Sequence, residues 1–205
     1  MLAPMLLRAT DFHATYAVDS PFTLPHHPGS LIHGLLGRAL RRTGCAAPET
    51  PCAGPCVKPE ACTYARLFDP PMPSPAPHRF LHGATRAPPR LIPLLPTMGT
   101  VHLAKGDAMT FGVRVLGDLD DETEKRLVSA LERIAELRLA TEQGSVTFDS
   151  VTRRGHRNRQ IRAEPGLPAR HRVKVTFETP AWIEHDGKLV KDLTFSGLFA
   201  RSRGV

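Results

Sequence analysis

Ala108-Met109-Thr110-Phe111-Gly112-Val113-Arg114-Val115-Leu116 alternates without a break. Met109, Phe111, Val113 and Val115 fall on one side of an extended chain, and Thr110, Gly112, Arg114 and Leu116 on the other. A sustained period of two marks a strand with one face in a core. A helix is predicted to follow over residues 120–139. Asp120 or Asp121 caps it, acids fill its first turn, and Leu127, Leu131, Ile134 and Leu137 recur at helical spacing. Residues 145–151 again read as a strand, through Val146, Phe148 and Val151.

Toward the amino end, residues 90–95 predict a further strand, and residues 44–78 form a cysteine- and proline-rich insertion. Before that lies a short helix entered through Pro28-Gly29, with Ser30 as its expected N-cap. Leu31, Leu35, Leu36 and Leu40 give it an apolar face, and Arg38, Arg41 and Arg42 carry its charge. Residues 5–18 alternate as a strand through Leu7, Ala9, Phe12, Ala14, Tyr16 and Val18, with a slip near Asp11 that suggests a bulge. The order strand, helix, two strands, helix, strand is the α+β ferredoxin-like βαββαβ pattern, shared with RNA-recognition domains. The expected organisation is a domain at 1–155 carrying the insertion, a basic linker at 156–171, and the start of a second, incomplete ferredoxin-like domain at 172–205. In that last part, residues 172–177 read as a strand, Asp186-Gly187 as a turn, and residues 193–200 as the start of a helix.

Charge narrows the function. The net charge is +7, with 27 basic against 20 acidic residues, which favours a polyanionic partner and nucleic acid above all. Arg153, Arg154, Arg157, Arg159, Arg162, Arg170, Arg172 and Lys174 are opposed within their segment only by Glu164. Charge this dense repels itself unless an anion neutralises it, although a solvated basic loop would look the same. No apolar run approaches the roughly 18 residues of a membrane span, and residues 1–8 lack the form of a signal peptide. The expectation is a cytoplasmic protein with no membrane partner.

In such a compartment, Cys45, Cys52, Cys56 and Cys62 are expected to bind metal rather than pair as disulfides. Four thiolates spaced C-x6-C-x3-C-x5-C suit one structural zinc, and Pro51, Gly54, Pro55 and Pro59 allow the turns around it. Such a site leaves no open position for water; His78 or His82 are alternative ligands. Three histidines, His26, His27 and His33, cluster at the junction of loop and helix. Histidine suits proton transfer near neutrality, and a helix N-terminus favours a phosphate.

The stretch from Leu24-Pro25 through Gly29-Ser30-Leu31-Ile32-His33-Gly34-Leu35-Leu36-Gly37-Arg38-Ala39-Leu40 resembles the first helix of the CRISPR repeat-processing endoribonucleases, members of the RAMP superfamily. Three further stretches are similar to that family in the same order: Cys62-Thr63-Tyr64-Ala65-Arg66-Leu67-Phe68-Asp69-Pro70, Met109 to Asp118, and Val175-Thr176-Phe177-Glu178-Thr179-Pro180. The resemblance implies cleavage of precursor CRISPR RNA within its repeat, by 2′-hydroxyl attack to a 2′,3′-cyclic phosphate, with no catalytic metal. A histidine in or just before the first helix would act as general acid or base. His33, His27 and His26 are the candidates, with Tyr16 to orient or stack a nucleotide. Arg38, Arg41, Arg42, Arg153, Arg154, Arg157, Arg159, Arg162 and Arg172 would bind the RNA. The glycine-rich loop usual near the carboxyl end of that family has no counterpart here. The alternative is therefore a non-catalytic RAMP-type subunit holding guide RNA among other CRISPR effector subunits. A zinc-stabilised DNA-binding regulator ranks below both, for want of a helix-turn-helix or paired-knuckle spacing.

Overall fold

The computed structural model describes residues 5–45, 61–75, 86–95, 99–137, 144–161, 184–185 and 188–189. Strand β1 (Met5–Val18) is followed by β2 (Phe22–Leu24), α1 (Gly29–Gly44), α2 (Thr63–Leu67), β3 (Leu91–Leu94), β4 (Val101–Leu103), β5 (Ala108–Leu116), α3 (Asp121–Arg133) with a 3-10 turn (Ile134–Glu136), β6 (Val146–Ile161), and the small pair β7 (Glu184–His185) and β8 (Lys188–Leu189). The main sheet has the order β3-β5-β1-β6, and every neighbouring pair is antiparallel. Two strand–helix–strand units, β1-α1-β3 and β5-α3-β6, interleave to give that order. This is the ferredoxin-like topology expected from the sequence.

The alternating residues divide as read. Phe12, Ala14, Tyr16 and Val18 of β1 and Met109, Phe111, Val113 and Val115 of β5 are buried. They pack beneath Ile32, Leu35, Leu36, Ala39 and Leu40 of α1 and Leu127, Ala130, Leu131 and Ile134 of α3. Both helices therefore cover one face of the sheet, and among the described residues no helix covers the other, here called the open face.

The caps show why the helices begin where they do. Asp120 accepts the Thr123 N–H at 2.7 Å, and three acids follow in the first turn of α3. Asp120 also receives Arg66 of α2, whose Nη1 donates to Thr123 Oγ1 at 2.7 Å. Arg66 thus ties α2 to the start of α3. Its hydrogen bond, with that of Thr123, holds the Asp120 carboxyl well below the usual carboxylate range. The contribution is present above the unfolded pKa near about 4 and fades as the pH falls below it. At α1 the expected cap is corrected. Pro28 is the N-cap, with φ −74° and ψ −4° and no side-chain cap, and its carbonyl accepts from Ile32 at 2.9 Å. Proline has its φ preset for the helix, so Ser30 falls inside the first turn.

Two strand features depart from expectation. The bulge lies opposite Asp11 rather than on it: Thr10 pairs with His156 and Asp11 with Arg154, which leaves Gly155 as the extra residue on β6. More consequentially, β6 runs to Ile161, paired with Met5. Residues 156–161, assigned from sequence to a basic linker, continue the sheet. The turn expected at Asp186-Gly187 is flanked by β7 and β8, which pair antiparallel. The elements expected at 172–177 and 193–200 lie outside the described residues.

Candidate nucleic-acid interface

Strand order makes β6 an edge of the sheet, with its basic run along that edge. Directly opposed residues in a sheet share a face. Arg153 opposes Phe12, on the helix side, and its Nε reaches Glu124 of α3 at 3.5 Å. Arg154 opposes Asp11, on the open side. Asp11 in turn opposes Arg114 of β5, and Arg114 opposes Ile92 of β3. One transverse row of the open face is therefore Ile92, Arg114, Asp11 and Arg154. Within it, Arg114 donates to both Asp11 oxygens, at 2.7 and 2.8 Å. Those bonds are the main reason the Arg114 pKa is raised. The Arg114 charge is committed to a carboxylate, whereas Arg154 is exposed and makes no ion pair among the described residues.

The next row sets His13 between Gly112 and Thr152. A Cβ on Gly112 would fall 3.2 Å from the His13 ring and 3.0 Å from Leu94 Cβ, so the missing side chain lets both close over β5. Beyond it, Thr15 and Thr110 join through their hydroxyls at 3.2 Å. Among the described residues no Phe, Tyr or Trp lies on this face. The described residues thus supply no ring platform of the kind on which RNA-recognition domains stack bases. Charges on an edge strand also discourage sheet-to-sheet pairing, a structural use that coexists with anion binding.

The candidate catalytic residues separate. His26 and His27 are exposed in the loop before α1, with rings 4.4 Å apart and Nδ1 of His26 3.1 Å from Nε2 of His27. The His26 carbonyl accepts from Gly99 at 3.1 Å, which anchors the loop. His33 is half-buried on α1, its ring 4.2 Å from that of Phe68, and burial lowers its pKa. Phe68 reaches α1 because Gly37 has no side chain; a Cβ there would lie 2.7 Å from the ring. Tyr16 is corrected outright. It is 0% exposed, stacked on Phe111 at 5.5 Å, and its hydroxyl donates to Leu131 O at 2.7 Å. Burial raises its pKa, and it joins sheet to helix with no access to a nucleotide.

The binding candidates also divide. Arg38 and Arg42 are exposed on α1, one turn apart, while Arg41 is half-buried. Arg153 and Arg154 are exposed on β6; Arg157 and Arg159 share its backbone ladder, opposite Ala9 and Leu7. Arg162 and Arg172 lie outside the described residues. Of the cysteines, Cys45 closes α1, with its N–H on Arg41 O at 3.2 Å, and Cys62 is buried as the N-cap of α2. Their neighbours touch: a Cβ on Gly44 would fall 2.7 Å from Thr63 Cβ. The first and last cysteines of the cluster therefore stand at one junction. Cys52, Cys56, His78 and His82 lie outside the described residues, and no group of three or more metal-ligating side chains occurs among those described. Sequence reasoning missed His13, Arg66 and the Asp11–Arg114 pair. Strand parity was the signal for the first and third.

This topology, with a basic edge strand, defines a ferredoxin-like α+β domain. The chain belongs to the AF_1859_N family, described as an N-terminal domain, whose model matches residues 7–173. That description names no reaction. No curated protein matches the chain. Among solved structures it is similar to a chain in the crystal structure of the Csm3-Csm4 subcomplex in the type III-A CRISPR-Cas interference complex. The identity is 15%, over 73% of this chain and 80% of that one, with a TM-score of 0.43. No helix among the described residues is long and apolar enough to cross a membrane.

Proposed function

We propose that this chain is a CRISPR-associated RNA-binding protein of the RAMP type, which holds repeat or guide RNA along its β6 edge among other effector subunits. The observation that carries this reading is the continuation of the basic run into a strand. On β6 the arginines at 153, 154, 157 and 159 ride a hydrogen-bonded ladder rather than a loose loop. Cations carried on a fixed backbone lose less freedom when an anionic chain binds than the same cations on a flexible segment. The sequence resemblance at residues 24–40, 62–70 and 109–118 and the βαββαβ order support it.

Cleavage is the second reading, and the exposed His26–His27 pair favours it. Two imidazoles 3.1 Å apart at a helix entrance can serve as acid and base to a 2′-hydroxyl and a leaving 5′-oxygen. The test is incubation with labelled repeat RNA in excess EDTA, beside RNA with a 2′-deoxy sugar at the cut site. A single cut to a cyclic phosphate, lost with the deoxy sugar and in the His26→Ala/His27→Ala variant, establishes the endoribonuclease. Binding without a cut establishes the guide-holding subunit, and no binding to RNA defeats both readings.

The same proposal includes one structural zinc. Cys45 and Cys62, brought to the junction of α1 and α2, supply two thiolates, and Cys52 and Cys56 complete the set in sequence. Elemental analysis of protein purified without added metal should return about one zinc per chain. Cys45→Ser and Cys62→Ser should each release it and lower the melting temperature by several degrees, about 2–4 °C per kcal/mol for a chain of this size. Zinc retained in both variants would remove this site.

A further inference from the structure

α1 and α3 lie side by side on the helix face of the sheet, and a groove of about 320 Å³ runs between them. Arg42 and Thr43 line it from α1; Lys125, Arg126, Ser129 and Arg133 line it from α3. Residues 125, 129 and 133 are successive positions of one helix face, four apart. Arg126 is engaged, donating to Glu122 Oε1 at 2.8 Å and to Ala61 O at 3.3 Å. Thr43 is turned back on its own helix, donating to Ala39 O at 3.0 Å. Arg42, Lys125 and Arg133 are exposed and make no ion pair among the described residues. Glu124, on the flank of α3, is taken by Arg153 of β6.

Arg42 and Arg133 sit in the last turns of their helices, where a cation suits the dipole. That explains them one at a time. It does not explain Lys125, which lies in the second turn of α3, far from the C-terminal turn where the dipole favours a cation. Nor does it explain why three uncommitted cations face one concavity, where mutual repulsion raises their cost. An anion in the groove removes that cost. The groove is open and without a ring to hold a base, which suits a phosphodiester backbone passing through it.

We propose that the α1–α3 groove is a phosphate-backbone site for RNA, separate from the β6 edge, with Lys125, Arg133 and Arg42 as its contacts. It rests on the RNA-binding reading above. The test is the salt dependence of binding to a labelled single-stranded RNA of about 30 nucleotides, for the full chain and for Lys125→Gln/Arg133→Gln. Both positions are exposed, so the fold should stand, and a thermal melt checks that it does. Two lost phosphate contacts should flatten the slope of log K against log salt by about 1.4 and weaken binding about tenfold at 0.15 M salt. RNA should also shield Lys125 from acetylation while leaving Lys105, exposed on the turn between β4 and β5, reactive. Equal shielding by inorganic phosphate at the same phosphate concentration would overturn the proposal in favour of a free-anion site. If the unsubstituted chain binds RNA and the variant keeps its slope and Lys125 stays reactive, the groove is not the site, while the β6 reading stands. If the unsubstituted chain binds no RNA, both fall.

Discussion

Replacing Arg153, Arg154, Arg157 and Arg159 together by alanine is expected to weaken RNA binding about a hundredfold at 0.15 M salt. Each phosphate a cation neutralises releases counterions worth about 0.7 in the slope of log K against log salt for a single strand. Four contacts amount to about 2.8, and at 0.15 M that is roughly two decades in affinity. The loss should be the same for any RNA sequence, because a guanidinium on a phosphate reads no base. The fold should tolerate the change. Arg154 makes no ion pair among the described residues, and the contact of Arg153 with Glu124 is half-exposed. Such a contact contributes about 0–1 kcal/mol. Measurement of binding at four salt concentrations decides the matter. An unchanged slope would mean that β6 carries its charges for another purpose, such as keeping an edge strand unpaired.

Why β6 was only half legible follows from what a core does to a strand. Val146, Phe148 and Val151 reach the helix layer, so that part shows apolar spacing. Past Thr152 the strand continues against residues 5–12 of β1, held by backbone hydrogen bonds that leave no periodic signature. A charge run without apolar residues then looks like a linker. Where one face is buried and the other is not, the sequence was transparent: Ala108–Leu116 has its observed bounds, and Asp120, one of the two caps read, is the cap of α3. The fate of Tyr16 was legible too. It shares parity with Phe12, Ala14 and Val18, and a residue of that parity must face the helices. His13, of opposite parity, faces the open sheet for the same reason. Other relations were out of reach because they join distant segments. Phe68 covers His33 from thirty-five residues downstream, Arg66 reaches the cap of α3, and Lys125 and Arg133 meet Arg42 only once the two helices pack. The polar face of α3 carried no assignment from sequence, although its spacing of four at 125, 129 and 133 places those residues in a line.

The largest effect on stability is expected at Asp11. Its side chain is 5% exposed, between β5 and β6 in the centre of the sheet, and Arg114, 29% exposed, grips it through two hydrogen bonds. Asp11→Ala leaves a guanidinium facing an apolar stub with only part of its surface in water. Breaking one side of a fully buried pair costs about 3–5 kcal/mol. The partial exposure of Arg114 brings the expectation to about 2–3 kcal/mol. Arg114→Met alone should cost at least as much, because the carboxylate it strands is the more deeply buried partner. The double variant should be less unstable than the sum of the two, with a coupling of about 1–3 kcal/mol, since neither charge is then left without its mate. Denaturant melts of the four proteins measure that coupling directly. Additive losses would mean that the pair is incidental and that Asp11 is held by its other neighbours. Strong coupling would bear on RNA as well. A guanidinium committed to Asp11 is withheld from phosphate, so Asp11→Asn should tighten RNA binding by releasing Arg114 onto the same face as Arg154. An open face that gains affinity when its central carboxylate is neutralised would lie within reach of the bound strand. Unchanged affinity would confine that strand to the β6 edge and the helix side.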